Sequence, residues 1–357
     1  MEIPSKKIPH TFARFETSGG ALVYRIPMRA FPNFWVYAYL VLVDDYIVLI
    51  DTGSGFGDSN ADLEQGFEQA SRLLGREIRI SDLTHILITH GHIDHFGGLA
   101  FLNQRTQAQV AIHELDLGSL TSYEERITLA EKRLKAYLIE AGLQQENLEN
   151  ILELYRINKA LFHSVSIALT YESMGMRLGH FEMLHVPGHC PGHVVIRLHD
   201  LLFSGDHVLE KISPHQWPER LTYWAGLRHY DASLALLVDW ARDVSLTLPG
   251  HNNPITDLPK RVDEIRQLHA ARLRRVFEFL SEPHTILEVS QQLFGEVSGY
   301  DALLALEEAG ANVEYLYQRG LLRVVNPDDV NPAACPSVIR YQQIDAPITR
   351  TVALFRS

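Results

Sequence analysis

The sequence is poor in cysteine, with only Cys190 and Cys335 in 357 residues. Two cysteines cannot form the disulfide framework of a small secreted domain, so we expect both to be reduced thiols. Long apolar runs are also missing, and the opening MEIPSKKIPHTFARFE lacks the apolar middle part of a secretory signal. These absences predict a cytoplasmic protein that does not associate with membranes.

Positive charge is scarce, because 32 Lys and Arg face 44 Asp and Glu and leave a formal charge of −12. Such a surface repels phosphate backbones, so binding of nucleic acid would need a local basic groove. Hydrophobic residues make up 46% and charged residues 21%, as in globular proteins. The length predicts one large domain and a smaller one.

The first half of the chain alternates β-rich and helical patterns. The runs VYAYLVLV and YIVLIDTG predict a hairpin that turns at Asp44-Asp45 and ends at Gly53. ADLEQGFEQASRLLG predicts a helix that stops at Gly75, and the strand LTHILIT follows. Residues 115–168 have helical periodicity throughout and no strand candidate, which predicts a helical insertion.

The C-terminal part changes character after Asp257, where apolar residues recur on one helix face. Thr285 and Glu288 have the spacing of a capping box, and another helix up to Arg319 precedes the strand-like LLRVV. Three helices followed by a strand are typical of a winged helix. The predicted units are a domain over 1–258 with the insertion at 115–168, a winged-helix-like domain over 259–325, and an extended tail over 326–357.

The stretch LITHGHIDHFGG concentrates candidate metal ligands. His90 and His92 are two apart at a strand end and can face one point, and Asp94 and His95 follow as the chain turns into a helix. Imidazole and carboxylate suit Zn²⁺, and two adjacent pairs predict two metal ions rather than one. The alternative interpretation is a chance cluster, which predicts no further donors elsewhere.

Further donors do occur, each directly after an apolar strand. Ends of neighbouring strands converge at one edge of a β-rich core, so distant donors can meet in one site. The complete predicted set of metal ligands is His90, His92, Asp94, His95, His189, Asp206 and His251.

This ordered set of motifs resembles the metallo-β-lactamase superfamily, whose His-x-His-x-Asp-His motif is matched by residues 90–95. The resemblance covers about residues 20–258 and implies a mixed α/β fold, a four-layer αββα sandwich. It also implies that Asp51, in IDTG, supports the metal loops. The ligand sets that it implies are His90, His92 and His189 for the first metal, Asp94, His95 and His251 for the second, and Asp206 as the bridge.

The implied chemistry uses a hydroxide shared by two cations, which exists at neutral pH because the cations lower the pKa of water. Asp94 would orient this hydroxide and accept its proton, so no serine or cysteine nucleophile is needed. Zinc is the expected metal, although His and Asp ligands also accept iron, manganese and cobalt.

Residues near the ligands have further expected roles. His185 and His193 flank His189 and are expected to support the ligands by hydrogen bonds or packing. Cys190 is expected to be structural, because its neighbours are apolar or small and the metals already have ligands. An aromatic loop after Asp206 is interpreted as a substrate-facing wall rather than an ordinary exposed loop. Its candidate residues are His207, His215, Trp217 and Tyr223.

Departures from known branches of the superfamily narrow the function. Diiron flavoproteins usually carry a glutamate where His92 stands, and lactonases that open acyl-homoserine lactones have a tyrosine where Leu209 stands. Persulfide dioxygenases use one iron with fewer ligands. The glutathione-binding residues of glyoxalase II are not recognisable between Asp206 and Tyr230.

The nearest resemblance is to the β-lactamase-like group with a small winged-helix C-terminal module, which includes a single-strand ribonuclease and thioester hydrolases.

We therefore predict a hydrolase that cleaves an ester, thioester or lactone of a small-molecule acyl substrate. The insertion at 115–168 would form either an apolar lid, which suits an uncharged substrate, or a homodimer contact.

One alternative function is that of a metal-dependent single-strand endoribonuclease or phosphodiesterase. The net charge and Glu307, Glu308 and Glu314 on the third C-terminal helix oppose it, because a recognition helix is normally basic. The other alternative is a non-catalytic winged-helix regulator with a structural metal site.

Overall fold

The computed structural model describes residues 10–159, 162–329 and 336–344. Within them, seven strands form one β-sheet in sequential order and five form a second sheet in the reverse order. The first sheet consists of β1 Ala13–Glu16, β2 Leu22–Phe31, β3 Phe34–Val43, β4 Tyr46–Ile50, β5 His85–Leu87, β6 Gln109–Ile112 and β7 Leu169–Thr170. The second consists of β8 Arg177–Leu178, β9 Phe181–His185, β10 Val194–Leu198, β11 Leu201–Gly205 and β12 Leu246–Pro249.

The helices come in three groups along the chain. Those around the first sheet are α1 Ser59–Leu74, α2 Ile93–Phe96 and α3 Leu99–Leu102. The insertion contributes α4 Glu114–Thr121, α5 Tyr123–Glu140 and α6 Gln145–Lys159. The later helices are α7 Leu227–Trp240, α8 Leu258–Phe279, α9 Ile286–Phe294 and α10 Tyr300–Gln318, and a small sheet of β13 Leu322–Val324 and β14 Tyr341–Gln343 ends the described chain.

The two large sheets pack face to face. Tyr39 of β3 lies edge-on to Phe203 of β11 with ring centroids 5.2 Å apart, inside a cluster of buried residues from both sheets. The outer face of the first sheet packs against α1, and that of the second against α7 and α8. The predicted four-layer αββα sandwich is therefore confirmed.

Local signals of the sequence explain where several elements end. The β3–β4 hairpin turns at Asp44, which has a positive φ of 49°, as predicted. Helix α1 stops at Gly75, whose φ of 71° is the left-handed conformation that favours glycine. Thr285 and Glu288 form the predicted capping box of α9.

Parallel pairing places the functional loops at one edge of the sandwich. Strands β4, β5 and β6 run parallel, and so do β11 and β12 of the other sheet. The chain leaves β5 towards His90, leaves β11 at Asp206 and leaves β12 towards His251. Since carboxyl ends of parallel neighbours share an edge, these loops converge.

The insertion is helical as predicted, except that the described residues 162–168 lie in no helix. Leu138 of α5 and Leu152 of α6 are fully buried against α8, α9 and α10, together with Tyr341 of β14. We call these residues, with their buried neighbours in the same six elements, the C-terminal cluster. Its existence means that the leucines of the insertion face the C-terminal helices.

Helix α8 connects this cluster to the sandwich. Val262 and Ile265 in its first half pack with the second sheet, whereas Leu273 and Val276 in its second half pack in the C-terminal cluster. The predicted order of three helices and a strand is present, and its assignment as a winged helix stays a prediction. None of the described helices is long and apolar enough to cross a bilayer.

The predicted tail is only partly described. Residues 341–343 pair antiparallel with β13, so this part of the tail adds a strand to the C-terminal helices. Residues 330–335, with Cys335, and residues 345–357 lie outside the described part of the chain.

Candidate metal centre

The two glycines after the histidine motif let two segments of backbone touch. A Cβ at Gly97 would collide with the carbonyl oxygen of Ser54, and a Cβ at Gly98 with that of Thr52. Only glycine permits this approach, which holds α2 against the loop that follows β4. Asp94 and His95 lie on α2 and are fixed at the site by this contact.

A first group of donor atoms contains three predicted ligands. His90, His92 and His189 offer one nitrogen each, and with the sulfur of Cys190 these atoms all lie within 4.8 Å of one another. The ring centroids of His92 and His189 are 4.6 Å apart. Three imidazoles that meet in this way fit a zinc-type site.

Cys190 was expected to be structural, and the structure places its thiol beside the predicted ligands. Its Sγ lies 3.2 Å from Nε2 of His92, and the residue is only 5% exposed. The thiol is therefore part of the first donor group. The signal in the sequence was its position next to His189, which an argument from ligand number ignored.

The second group consists of Asp94, His95, Asp206 and His251, whose donor atoms again lie within 4.8 Å of one another. Nε2 of His251 lies 3.3 Å from Oδ2 of Asp94 and 3.2 Å from Oδ2 of Asp206. The same Asp206 oxygen is 3.9 Å from Nε2 of His189 in the first group. Asp206 thus faces both groups, and all seven predicted ligands come together.

The ligand histidines are oriented by their other ring nitrogen. Nδ1 of His90 lies 3.0 Å from Oγ1 of Thr89, and Nδ1 of His95 lies 2.7 Å from Oδ2 of Asp51. Nδ1 of His189 lies 2.9 Å from the carbonyl oxygen of His215, and Nδ1 of His251 lies 2.5 Å from that of Trp35. Such contacts fix the ring and turn Nε2 towards a metal.

The Nε2 atoms then point at one another and at the carboxylates of the site. Within the described residues, the buried donor atoms that make no hydrogen bond include Nε2 of His90, His95, His189 and His251 and Oδ1 of Asp206. Buried polar atoms are rarely left unsatisfied, because each costs about 1–3 kcal/mol. The donor set, two groups of imidazoles and carboxylates with one shared aspartate, fits a pair of divalent cations.

Asp51 braces the motif from behind, the role that the resemblance implies. Its carboxylate accepts the backbone N–H of Thr89 at 2.8 Å and the Thr89 hydroxyl at 2.9 Å, and it contacts His95. The residue is 2% exposed and adopts a φ of 59°, which is uncommon outside glycine. A backbone conformation of this kind persists only where the surrounding contacts impose it.

Electrostatics divide the donors into neutral and charged ones. Burial, reinforced by neighbouring imidazoles, lowers the pKa of His90 well below its ordinary value. Burial disfavours the charged ring of His251, but Asp206 and Asp94 outweigh it and raise its pKa to about 10. Burial likewise opposes ionisation of Asp94, yet His95 and His251 lower its pKa to about 2. The carboxylates therefore hold negative charge that attracts cations.

His185 and His193 lie where support for the ligands was expected. Nε2 of His193 accepts the backbone N–H of Asp206 at 3.1 Å, and its ring stacks on His90 at 4.6 Å. His185 contacts the carbonyl of Pro191 at 2.8 Å through Nε2, in the loop that carries His189.

The four predicted substrate residues take different positions. Only Trp217 lines the cavity at the donor groups, with its ring 6.3 Å from that of His92. His207 is fully buried beside Tyr230, His215 lies behind His189, and Tyr223 is 76% exposed away from the cavity. The lining of this cavity therefore includes Trp217 and not the other three, and their role towards a substrate stays a prediction.

The cavity has a volume of about 160 Å³ and opens on the first donor group. Helix α5 forms one wall with Ile127 and Leu134, and the loop with Trp217 and Leu221 forms the opposite wall. The insertion therefore overhangs the site. Its wall is not purely apolar, as the lid hypothesis supposed, because α5 also contributes two arginines.

Asp116 is a functional candidate that sequence reasoning missed. Its carboxylate accepts the backbone N–H of Gly91 at 2.8 Å and that of Gly192 at 2.9 Å, and it is 1% exposed. It thereby ties the loop of His90 and His92 to the loop of His189. Its place in the first turn of α4 gave no signal, because its partners are distant in sequence.

Helix α10 supports the same site from the other side. Glu314 accepts the backbone N–H groups of Glu219 at 2.5 Å and Arg220 at 3.1 Å, and Glu307 lies 3.3 Å from Nε2 of His215. Glu307, Glu308 and Glu314 of this helix thus point inward at the loop of Trp217.

Residues 34–277 match the family model of the metallo-beta-lactamase superfamily. The probable metallo-hydrolase YqjP of Bacillus subtilis is 25% identical over 299 residues, which cover 79% of this chain and 87% of that protein. The hydroxyacylglutathione hydrolase GloC of Haemophilus influenzae is 29% identical over 156 residues, 42% of this chain and 61% of that protein.

Among solved structures, a metallo-beta-lactamase family protein from Thermus thermophilus superimposes with a TM-score of 0.69 and 25% identity. The superposition covers 90% of this chain and 98% of that one. This share is larger than the part matched by the family model, so the likeness extends beyond the sandwich.

Proposed function

Because the chain belongs to the metallo-beta-lactamase superfamily, we propose that it is a dinuclear metal-dependent hydrolase that cleaves a thioester, ester or lactone. The observation that carries the proposal is the pair of buried donor groups that both face Asp206, in which Nε2 of His90, His95, His189 and His251 makes no hydrogen bond. Zinc is the proposed metal, with iron or manganese as alternatives for the same ligands.

Two observations support an acyl substrate. A relative is a hydroxyacylglutathione hydrolase, so the superfamily match includes a protein that acts on an acylated thiol. The cavity places apolar side chains such as Leu134 and Trp217 next to His92 of the first donor group. An acyl group can occupy that cavity with its carbonyl at the donors.

The residues of this chain have defined tasks in such a reaction. When bound, two divalent cations would lower the pKa of water and polarise the substrate carbonyl. Asp94 lies in the first turn of α2 with one oxygen 3.3 Å from His251, and we propose that it accepts the proton of the attacking water. Asp51 keeps His95 in place, and Trp217 helps to exclude bulk water from the cavity.

A phosphodiesterase acting on single-stranded RNA is the second candidate, and the arginines in the cavity wall favour it. The net charge of −12 opposes it, and so does the inward orientation of the acidic residues of α10. A purely structural metal site is disfavoured because the cavity reaches the first donor group, whereas structural zinc sites are closed.

The test is elemental analysis followed by a rate screen on thioesters, lactones, aryl esters and single-stranded RNA. We expect two metal ions per chain and turnover of an acyl substrate, which Asp94→Ala abolishes and Asp243→Ala, at an exposed position, does not. Full activity of the Asp94→Ala variant contradicts the mechanism. Cleavage of RNA alone, with a steep loss of rate in added salt, supports the nuclease instead.

A further inference from the structure

Two arginines of α5 line the cavity that leads to the first donor group. Arg126 and Arg133 are seven residues apart, and two helical turns bring such residues to the same face of a helix. Both belong to the same cavity wall as Ile127. One part of the cavity lining is therefore the first group of candidate metal ligands, and another part is the two guanidinium groups of α5.

These guanidinium groups form no ion pair within the described residues, although Arg126 interacts electrostatically with the buried carboxylate of Asp116. Both side chains belong to exposed residues, and neither forms an ion pair with a described carboxylate. By contrast Arg156, on the neighbouring α6, pairs with Glu131 at 2.6 Å. A guanidinium group outside an ion pair has N–H donors available for an anionic ligand.

The carboxylates nearest to the cavity are already engaged. Asp116 accepts two backbone hydrogen bonds, from Gly91 and Gly192. Glu307 is 1% exposed and contacts His215. Neither forms an ion pair with Arg126 or Arg133 within the described residues, so the wall of α5 favours an anion.

The size of the cavity indicates which part of a substrate can lie between the first donor group and the arginines of α5. At about 160 Å³ it is close to the roughly 150 Å³ cavity that holds one benzene molecule. Ile127, Leu134 and Leu221 line it with apolar surface. A short acyl chain fits this space.

We propose that the substrate is an acyl ester or thioester that carries an anionic group, a carboxylate or a phosphate, and that Arg126 and Arg133 bind this group. Guanidinium groups suit both anions because they form paired, charge-assisted hydrogen bonds. This inference rests on the proposed hydrolase. It replaces the expectation of an uncharged substrate, which considered only the leucines of the insertion.

The experiment compares substrates that differ in charge at equal chain length. S-succinyl-N-acetylcysteamine and S-butyryl-N-acetylcysteamine test a carboxylate on the acyl group, and S-butyryl-coenzyme A tests phosphate on the leaving thiol. For the metal-loaded protein we expect kcat/KM about 10-fold or more higher for one of the anionic substrates than for the neutral one. Equal values for all three overturn the proposal.

The variant Arg126→Gln/Arg133→Gln should remove this preference, because kcat/KM falls much more for the anionic thioester than for the neutral one. Arg72→Gln, on the exposed face of α1, is the matched control and should keep the preference. An equal loss on neutral and anionic thioesters means that the arginines support the fold, which overturns their assigned role. If the variant impairs only RNA cleavage, the phosphate belongs to a nucleic acid and the proposal is wrong.

A binding measurement separates this proposal from the hydrolase itself. If the metal-loaded protein hydrolyses no thioester, the proposed function fails, and calorimetry with N-butylsuccinamate and neutral N-butylbutanamide still tests the anion site. The proposal requires binding of the succinamate that is about 10-fold weaker in the double variant. Equal binding of both probes, or equal binding by both proteins, overturns it.

Discussion

The carboxylate of Glu308 accepts a hydrogen bond from the backbone N–H of Gln216 at 2.8 Å. Gln216 follows His215, whose carbonyl oxygen is the partner of Nδ1 of His189. A glutamate of the C-terminal helices is thus separated from a metal ligand by a single loop. The C-terminal part of the chain is structurally part of the site.

Removal of Glu308 should therefore damage both stability and activity. Glu308→Ala leaves the N–H of Gln216 and the guanidinium of Arg272 without their carboxylate. We expect a loss of about 3 kcal/mol in the free energy of unfolding, measured with urea, and a lower kcat/KM. Glu282→Ala, at an exposed position, is the control, and equal stability of both variants would contradict the assigned role.

Asp116 should control how tightly the first donor group binds metal. Asp116→Asn replaces one accepting oxygen with an NH2 group, so Gly91 or Gly192 loses its hydrogen bond. We expect metal affinity to fall about 10- to 100-fold in a chelator competition. Asp243→Asn should bind metal like the wild type. If Asp116→Asn does so too, the two loops are held by other contacts.

Cys190 is placed to act as a sulfur donor, and cobalt reports on it. The Co²⁺-substituted protein should show a near-ultraviolet thiolate-to-cobalt absorption band, because Sγ lies in the first donor group. Cys190→Ser should remove this band, and Cys335→Ser should retain it. A band that is absent from the wild type, or that survives in Cys190→Ser, shows that the sulfur does not bind the metal.

His269 should contribute to acid sensitivity. Burial, aided by Arg272 and opposed by Asp231, lowers its pKa from 6.5 to about 3. Between these values the unfolded chain binds a proton that the folded chain does not, so the free energy of unfolding falls as pH falls through this window. The contribution is at most about 1.4 kcal/mol per pH unit.

The variant His269→Phe removes this group and keeps a ring beside Tyr230, whose centroid lies 5.6 Å from that of His269. We expect the unfolding free energy of this variant, measured with urea from pH 7.5 to about 4.5, to fall less steeply than that of the wild type. His163→Gln, at a side chain that is 81% exposed, should leave the slope unchanged. Identical slopes for all three proteins would mean that His269 is protonated in the folded state.

The sequence was sufficient where a few neighbouring residues determine the structure. The turn at Asp44, the helix end at Gly75 and the capping box of Thr285 depend on local conformation and were predicted correctly. The seven candidate ligands could be found because each follows an apolar strand, and strand ends converge. The metals that they bind remain a proposal.

The sequence was insufficient where the partner of a side chain is distant. Asp116 accepts a hydrogen bond from a backbone N–H 76 residues away, and Glu308 accepts one from a backbone N–H 92 residues away. No rule of sequence spacing identifies such partners. Helix α7 was not predicted, and the described residues 162–168 were wrongly included in a helix. The position of the Cys190 thiol beside the ligands was not predicted, because the direction of this side chain depends on how the whole loop folds.

The C-terminal cluster affects how the protein is synthesised. Leu138 and Leu152 leave the ribosome well before the residues of α9 and α10 that bury them, and until then these leucines are exposed to water. Exposed apolar helices of this kind invite aggregation of a nascent chain. A polypeptide released before α10 is complete would thus be a poor hydrolase and also a substrate for chaperones and proteases.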